Sequence, residues 1–270
     1  MKNSHQSFKN GECRYFPCRM TTAEKMIVSF SLVVSFVFCV PKTVLAMHIM
    51  EGYLPPAFCI GWGAVCLPFL TVGVITIRRL SQKHRKSLLL LAMAGAFVFV
   101  VSSLKIPSVT GSCSHMTGTG LGAILFGTPI TSVLGLIVLV FQAILLAHGG
   151  LTTLGANTFS MAIAGPLLTR MLYQTGKKLR IPGRFNVFLS AMLGDLFTYC
   201  VTSIQLALAY PSAEGGAGAS MAEFLAVFAP TQLPLSVIEG LLTMLVIMGL
   251  ETYAKAELQE FRSAKGGLFQ

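Results

Sequence analysis

Three histidines stand in segments rich in glycine, serine and threonine: His48, His115 and His148. Their surroundings read Met47-His48-Ile49-Met50-Glu51-Gly52, Gly111-Ser112-Cys113-Ser114-His115-Met116-Thr117-Gly118-Thr119-Gly120, and His148-Gly149-Gly150-Leu151-Thr152-Thr153-Leu154-Gly155-Ala156-Asn157. The other two histidines, His5 and His84, fall in a polar N-terminal stretch and a basic linker. Neutral imidazole is a common ligand for divalent transition metals. The chemistry in view is therefore metal coordination. No spacing here matches a strong metal motif such as HExxH.

His48 gains meaning from what precedes it. Residues 26–40 read MIVSFSLVVSFVFCV, an apolar stretch flanked by Arg19 and Lys25. Pro41-Lys42-Thr43-Val44-Leu45-Ala46 follows, with small residues at −3 and −1 of a cut after Ala46. That arrangement is a signal peptide. The competing interpretation is an uncleaved first helix, for which the stretch is short. The true translation start could also be Met20 or Met26. Cleavage after Ala46 makes Met47 the first residue and His48 the second. The free amine, the His48 backbone nitrogen and His48 Nδ1 can then close two adjacent chelate rings on one ion. The amine titrates near pH 7.7–8.0, so a metal displaces its proton close to neutrality. One more imidazole completes a four-nitrogen plane, which suits Ni(II), Cu(II) or low-spin Co(II).

His115 is the best candidate for that fourth donor, in a loop that glycines let fold tightly. Cys113 is a weaker, soft candidate, because an outward-facing thiolate is open to oxidation. His148 and Asn157 can orient the ligands by hydrogen bonds. Glu51 is the only acid near the first segment. A general base beside an open metal position would make this an intramembrane metalloenzyme, and Glu51 would have to supply it. A permease for a non-metal solute remains a third possibility.

The elements that position these residues must lie in lipid. Of 270 residues, 54% are hydrophobic and 11% charged, with a mean hydropathy of +0.73. Soluble domains carry roughly twice that charge, about 25%. The net charge of +10 does not point to nucleic acid, because the basic residues bunch between apolar runs at 78–86, 170–184 and 255–265. Such clusters mark cytoplasmic loops.

Apolar runs span 54–77, 88–104, 130–147, 158–172, 187–210 and 224–250, with a short piece at 121–126 stopped by Gly127-Thr128-Pro129. If 121–147 were one crossing, the cluster at 177–184 would fall outside. A short third segment that dips in and returns restores the charge rule. Seven membrane segments follow, and the chain is expected to be an all-α polytopic membrane protein. The mature N-terminus and the segments 105–120, 148–157 and 211–220 (expected to be a Gly/Ala-rich loop) share the outer face. The C-terminus is cytoplasmic. Short broken elements at membrane depth line cavities or pack in protein.

Asp195 and Glu239 fall inside spans, where an ionisable side chain is a functional candidate by default. With no second intramembrane charge evident beside either, helix-packing hydrogen bonds to Thr198, Gln205 or a partner are favoured. Ala92 and Ala96 form a small-residue pair that lets another helix approach closely.

The quoted strings resemble the CbiM family. The start Met47-His48-Ile49-Met50-Glu51-Gly52-Tyr53-Leu54-Pro55, the loop 109–120, the stretch 148–162, and Gly194-Asp195 with Thr198-Tyr199 carry the likeness, over about residues 47–250. These are the substrate-binding membrane subunits of energy-coupling-factor cobalt importers. The resemblance implies no catalysis by this subunit, and metal held by Met47, His48 and His115. It implies as partners a transmembrane coupling subunit, two ATP-binding subunits and a small membrane accessory subunit. Ala92 and Ala96 become a docking surface for the coupling subunit.

Related nickel subunits share the Met-His start. The Ser112-Cys113-Ser114-His115 loop looks like the cobalt branch, so Co(II) is the expected substrate and Ni(II) the alternative. The family often begins directly at Met-His, whereas 46 residues precede it here. The expected organisation is a cleaved pre-sequence at 1–46, a transmembrane metal-binding domain at 47–254 and a cytoplasmic tail at 255–270, in the inner membrane. The import would feed cobalamin biosynthesis.

Overall fold

A computed structural model describes residues 48–83, 86–107, 113–255, 257–259 and 261. The expected pre-sequence, Met47 and the Cys113 side chain lie outside the described residues. In chain order the helices are α1 (Pro56–Lys83), α2 (Lys86–Ser103), α3 (Thr119–Leu125), α4 (Thr128–Leu146), α5 (Leu154–Asn157), α6 (Gly165–Lys178), α7 (Gly183–Ala209) and α8 (Gly216–Tyr253). A π-helical segment, Thr158–Ala164, joins α5 to α6. The chain is an all-α polytopic membrane protein. Four helices, α1, α4, α7 and α8, are long and apolar enough to cross a bilayer, and the apolar part of α2 is shorter.

The break expected after 126 is present. Gly127 adopts φ 86°, a region that side chains disfavour, and Pro129 sits in the first turn of α4. A proline there costs nothing, because that turn has surplus N–H groups. The third segment is accordingly only seven residues long.

Two boundaries depart from expectation. The Gly/Ala-rich segment 211–220 is helical from Gly216 onward. Paired backbone bonds between Ser212 and Gly216, and Ser220 Oγ donating to Tyr210 O at 2.6 Å, fix that start. The helix then continues through Pro230 and Pro234. The C-terminal segment does not leave the bundle at once. Leu258 and Phe261 are buried in the cluster that holds Leu80, Phe126 and Leu139, with the Phe126 and Phe261 rings edge-to-face at 5.0 Å. Burying these apolar groups outweighs solvating them.

Asp195 and Glu239 are neighbours across the α7–α8 contact, contrary to the expectation that neither has a second charge beside it. Helices α7 and α8 pack along each other and bring them together. Hydrogen bonds do hold both, though from other partners than expected. Gln232 Nε2 donates to Asp195 Oδ2 at 2.6 Å. Thr117 donates to Glu239 through its N–H at 2.6 Å and its hydroxyl at 2.8 Å. Gln205 instead donates to Ala156 O, and Thr198 to Gly194 O.

Candidate metal centre

Four chain segments meet at one end of the bundle: the stretch before α1, the hairpin between α2 and α3, the α4–α5 connection, and the α7–α8 turn. A two-residue antiparallel pairing sets Ile106 opposite Ser114 and Pro107 opposite Cys113. That pairing delivers His115 directly after the second strand. Tyr210 at the end of α7 donates its hydroxyl to Tyr53 O. The basic residues Arg78-Arg79 lie more than five helical turns along α1 from this end.

His48, His115 and His148 converge here, with 3%, 0% and 3% of their surface exposed. His48 Nδ1 lies 2.5 Å from His115 Nε2 and 2.7 Å from His148 Nε2. Ligand atoms of all three fall within 4.8 Å of one another, close enough to bind one ion. His115 Nδ1 is 2.9 Å from the Met116 carbonyl, to which it donates, so the lone pair of its Nε2 faces His48. The His48 and His115 rings are nearly parallel, at 19°. The His148 ring stands at 79° to His48 and 70° to His115.

Burial pushes all three imidazoles toward their neutral form. His48 falls well below the usual histidine range, through burial first and then the positive charge of His115, His148 and Lys105. Burial lowers His115 to about 4 against the opposing bond to Met116 O. His148 falls to about 2, through burial, His115 and Lys105. Neutral imidazoles bind metal without first losing a proton. His48 Nε2 is buried with no hydrogen-bond partner.

Asn157, the last residue of α5, is buried against the backbone of Ile49. Its Oδ1 accepts from Ile49 N–H at 2.9 Å and its Nδ2 donates to Ile49 O at 3.0 Å. The amide thereby grips the backbone next to His48 at two points. Thr153 Oγ1 adds a third contact, donating to Ile49 O at 2.6 Å. Glu51 performs an analogous task as a latch, because it accepts from the backbone N–H groups of Leu151 and Thr152. Hydrogen bonds from Thr152 hold its carboxyl below the usual range. Gly150 fits this junction because any Cβ would come within 2.5 Å of Glu51 Cα.

His148 is placed by the end of α4. Its N–H donates to Gln142 O at 3.1 Å, and Ala147 before it takes φ 46°. Gln142 in turn donates to Ser102 Oγ at 2.7 Å. Gln232 Nε2 donates to His115 O at 3.4 Å, and Ser114 Oγ lies 2.7 Å from Thr231 Oγ1. Thr153, Gln142 and Gln232 were not singled out from sequence. A signal existed for each: Thr153 lies four before Asn157 on one helical face, and the two glutamines interrupt apolar runs. Ala92 and Ala96 lie on α2. They are exposed and line a groove of about 460 Å³ between α2 and α4, with Leu88, Gly95 and Phe141.

Fold and site together define a polytopic membrane protein with a candidate transition-metal centre at one end of its bundle. The chain belongs to the CbiM family. Residues 48–257 match that family, described as the cobalt uptake substrate-specific transmembrane region, and the chain is thus a transporter subunit. It is 62% identical over 249 residues to the cobalt transport protein CbiM of Lachnoclostridium phytofermentans, covering 92% of this chain and 100% of that one. It is 58% identical to the Chlorobium limicola protein of that name, over 77% of this chain and 82% of that one. A solved structure described as a truncated transition metal transporter is also similar. It has a TM-score of 0.67 at 26% identity, covering 76% of this chain and 99% of that chain.

Proposed function

We propose that the mature chain captures one Co(II) at the outer face of the cytoplasmic membrane for ATP-driven import that feeds cobalamin biosynthesis. The observation that carries this is the 2.5 Å approach of His48 Nδ1 to His115 Nε2 between two buried side chains. The donors are the Met47 amine, the His48 amide nitrogen and Nδ1, and His115 Nε2. Removal of residues 1–46 frees the amine. Cobalt rather than nickel is favoured because the relatives above are named for cobalt transport.

The basic linkers lie on the cytoplasmic side, as does the C-terminus. The groove around Ala92 and Ala96 receives the transmembrane coupling subunit. Two ATP-binding subunits and a small membrane accessory subunit complete the importer, and ATP is hydrolysed on the ATP-binding pair.

Calorimetric titration of the purified mature protein tests the site. Co(II) binds at one per chain, binding is lost in His48→Ala and His115→Ala, and chemical blocking of the α-amine weakens it severely. Undiminished binding by His48→Ala sinks the assignment.

A further inference from the structure

We propose that His148 is a fifth, axial ligand to the captured ion, and that this ligand selects Co(II) over Ni(II). The inference rests on the planar site proposed above.

An imidazole lone pair lies in the plane of its own ring. His48 closes a chelate through both its amide nitrogen and Nδ1, so its ring lies close to the coordination plane. The His115 ring is inclined by only 19° to the His48 ring. Its lone pair therefore points along the plane, which suits the fourth equatorial position and excludes capping the ion from above. The His148 ring stands at 79° to the His48 ring. A ring so tilted can direct its lone pair along the perpendicular, as an axial ligand must, which the nearly parallel His115 ring cannot. His148 Nε2 is 2.7 Å from His48 Nδ1, as near as neighbouring donors on one ion come. The position is built rather than incidental: the residue is 3% exposed, and its backbone is fixed by the bond to Gln142 O beside the left-handed Ala147.

The electron count turns this geometry into a preference. Four in-plane nitrogens, one of them an amide anion, give a strong equatorial field. Low-spin Ni(II) has eight d electrons, and its axial orbital is full. An axial imidazole meets that filled orbital and is repelled. Low-spin Co(II) has seven, and its axial orbital is half full. A fifth nitrogen bonds to it and gives a square-pyramidal complex. The general affinity order places Ni(II) above Co(II) at a four-nitrogen site. A preformed axial donor works against that order. It stabilises the cobalt complex and crowds the planar nickel one.

Electron paramagnetic resonance of the Co(II)-loaded mature protein, prepared without oxygen, reads the axial ligand directly. The unpaired electron occupies the axial orbital, so one axial ¹⁴N splits each cobalt line into three. Protein grown with ring-¹⁵N histidine gives two. His148→Ala keeps one Co(II) per chain and loses this splitting. Its Co(II)-over-Ni(II) preference, from parallel titrations, falls by roughly tenfold or more, the scale on which even groups behind the ligands alter metal affinity.

Ni(II) binding by His148→Ala reports that the planar set is intact. If that variant binds neither ion, His148→Gln decides by the same two readouts, and its failure to bind Ni(II) overturns the proposal. So does a high-spin Co(II) spectrum in the unaltered protein, or nitrogen splitting that survives in the variant. Failure of the planar site itself looks different: there Co(II) binding is indifferent to His48→Ala and His115→Ala.

Discussion

At the residue scale, the three histidines are held in place by groups outside their own cluster. Asn157 bonds both backbone groups of Ile49, and Ile49 is the residue after His48. Replacing it with alanine leaves two buried backbone groups short of partners and frees the His48 segment to turn. Asn157→Ala is expected to weaken Co(II) binding by about 10–100-fold, as losses behind a metal's ligands do. Calorimetric titration beside the unaltered protein checks this, and an unchanged affinity refutes the clamp.

The histidines also set a pH dependence. Each has a folded-state pKa below the ordinary value near 6.5. Between that value and about 4, the unfolded chain binds protons that folded His115 does not. The metal-free protein should therefore lose stability as pH falls through this window, by up to about 3 kcal/mol from His115. Thermal unfolding at stepped pH tests it, and His115→Ala should make the profile shallower while His48 and His148 keep part of it.

At the element scale, how much was legible depended on whether the signal was local. The apolar runs, the Gly127-Thr128-Pro129 break and the polar loops are chain-neighbour patterns, and helical segments occur at each of the seven places they indicated. Helix α8 was started too late: Gly216 and Gly218 read as loop residues, while the Ser212–Gly216 pairing and the Ser220 bond to Tyr210, ten residues apart, fix the helix start. Asn157 read as a hydrogen-bonding residue, and it bonds the backbone next to His48. His148 was understated, since its 2.7 Å approach to His48 depends on how α4 ends, 100 residues away in sequence. The pairing of Asp195 with Glu239 likewise depends on the register of α7 against α8, which no periodicity encodes.

Gly150 lies between two such elements, and its missing side chain lets the α4–α5 connection close onto Glu51. In Gly150→Ala a Cβ meets the Glu51 backbone at Cα and N and its carboxylate, so the latch must separate. The expected result is faster hydrogen exchange at Leu151 and Thr152, with Co(II) leaving faster. Exchange rates equal to those of the unaltered protein refute the latch. On the apolar surface, Ala92→Leu with Ala96→Leu fills the α2–α4 groove. Co(II) binding by the isolated subunit should persist, while co-purification with the coupling subunit is lost.

At the scale of the whole molecule, the proposed centre is unusual in depending on a bond that must be broken. Folding can bring His48, His115 and His148 together, and the tightly packed helices around them do so. Folding cannot supply an amine at Met47 while Ala46 is still attached, because the nitrogen is then an amide of the preceding residue. An uncut chain would offer imidazoles in the same places but lose one equatorial donor and the first chelate ring. The two states therefore differ in metal affinity without differing in fold. Substituting Val44 and Ala46 with bulky residues blocks a cut between Ala46 and Met47. The uncut protein should reach the membrane with unchanged thermal stability when metal-free, and its Co(II) affinity should drop by several orders of magnitude. Adding an engineered protease site immediately before Met47, and cutting there after purification, should restore full binding. A mature N-terminus elsewhere than Met47, or uncut protein that binds Co(II) as tightly as cut protein, would remove the amine from the site and leave a three-imidazole centre in its place.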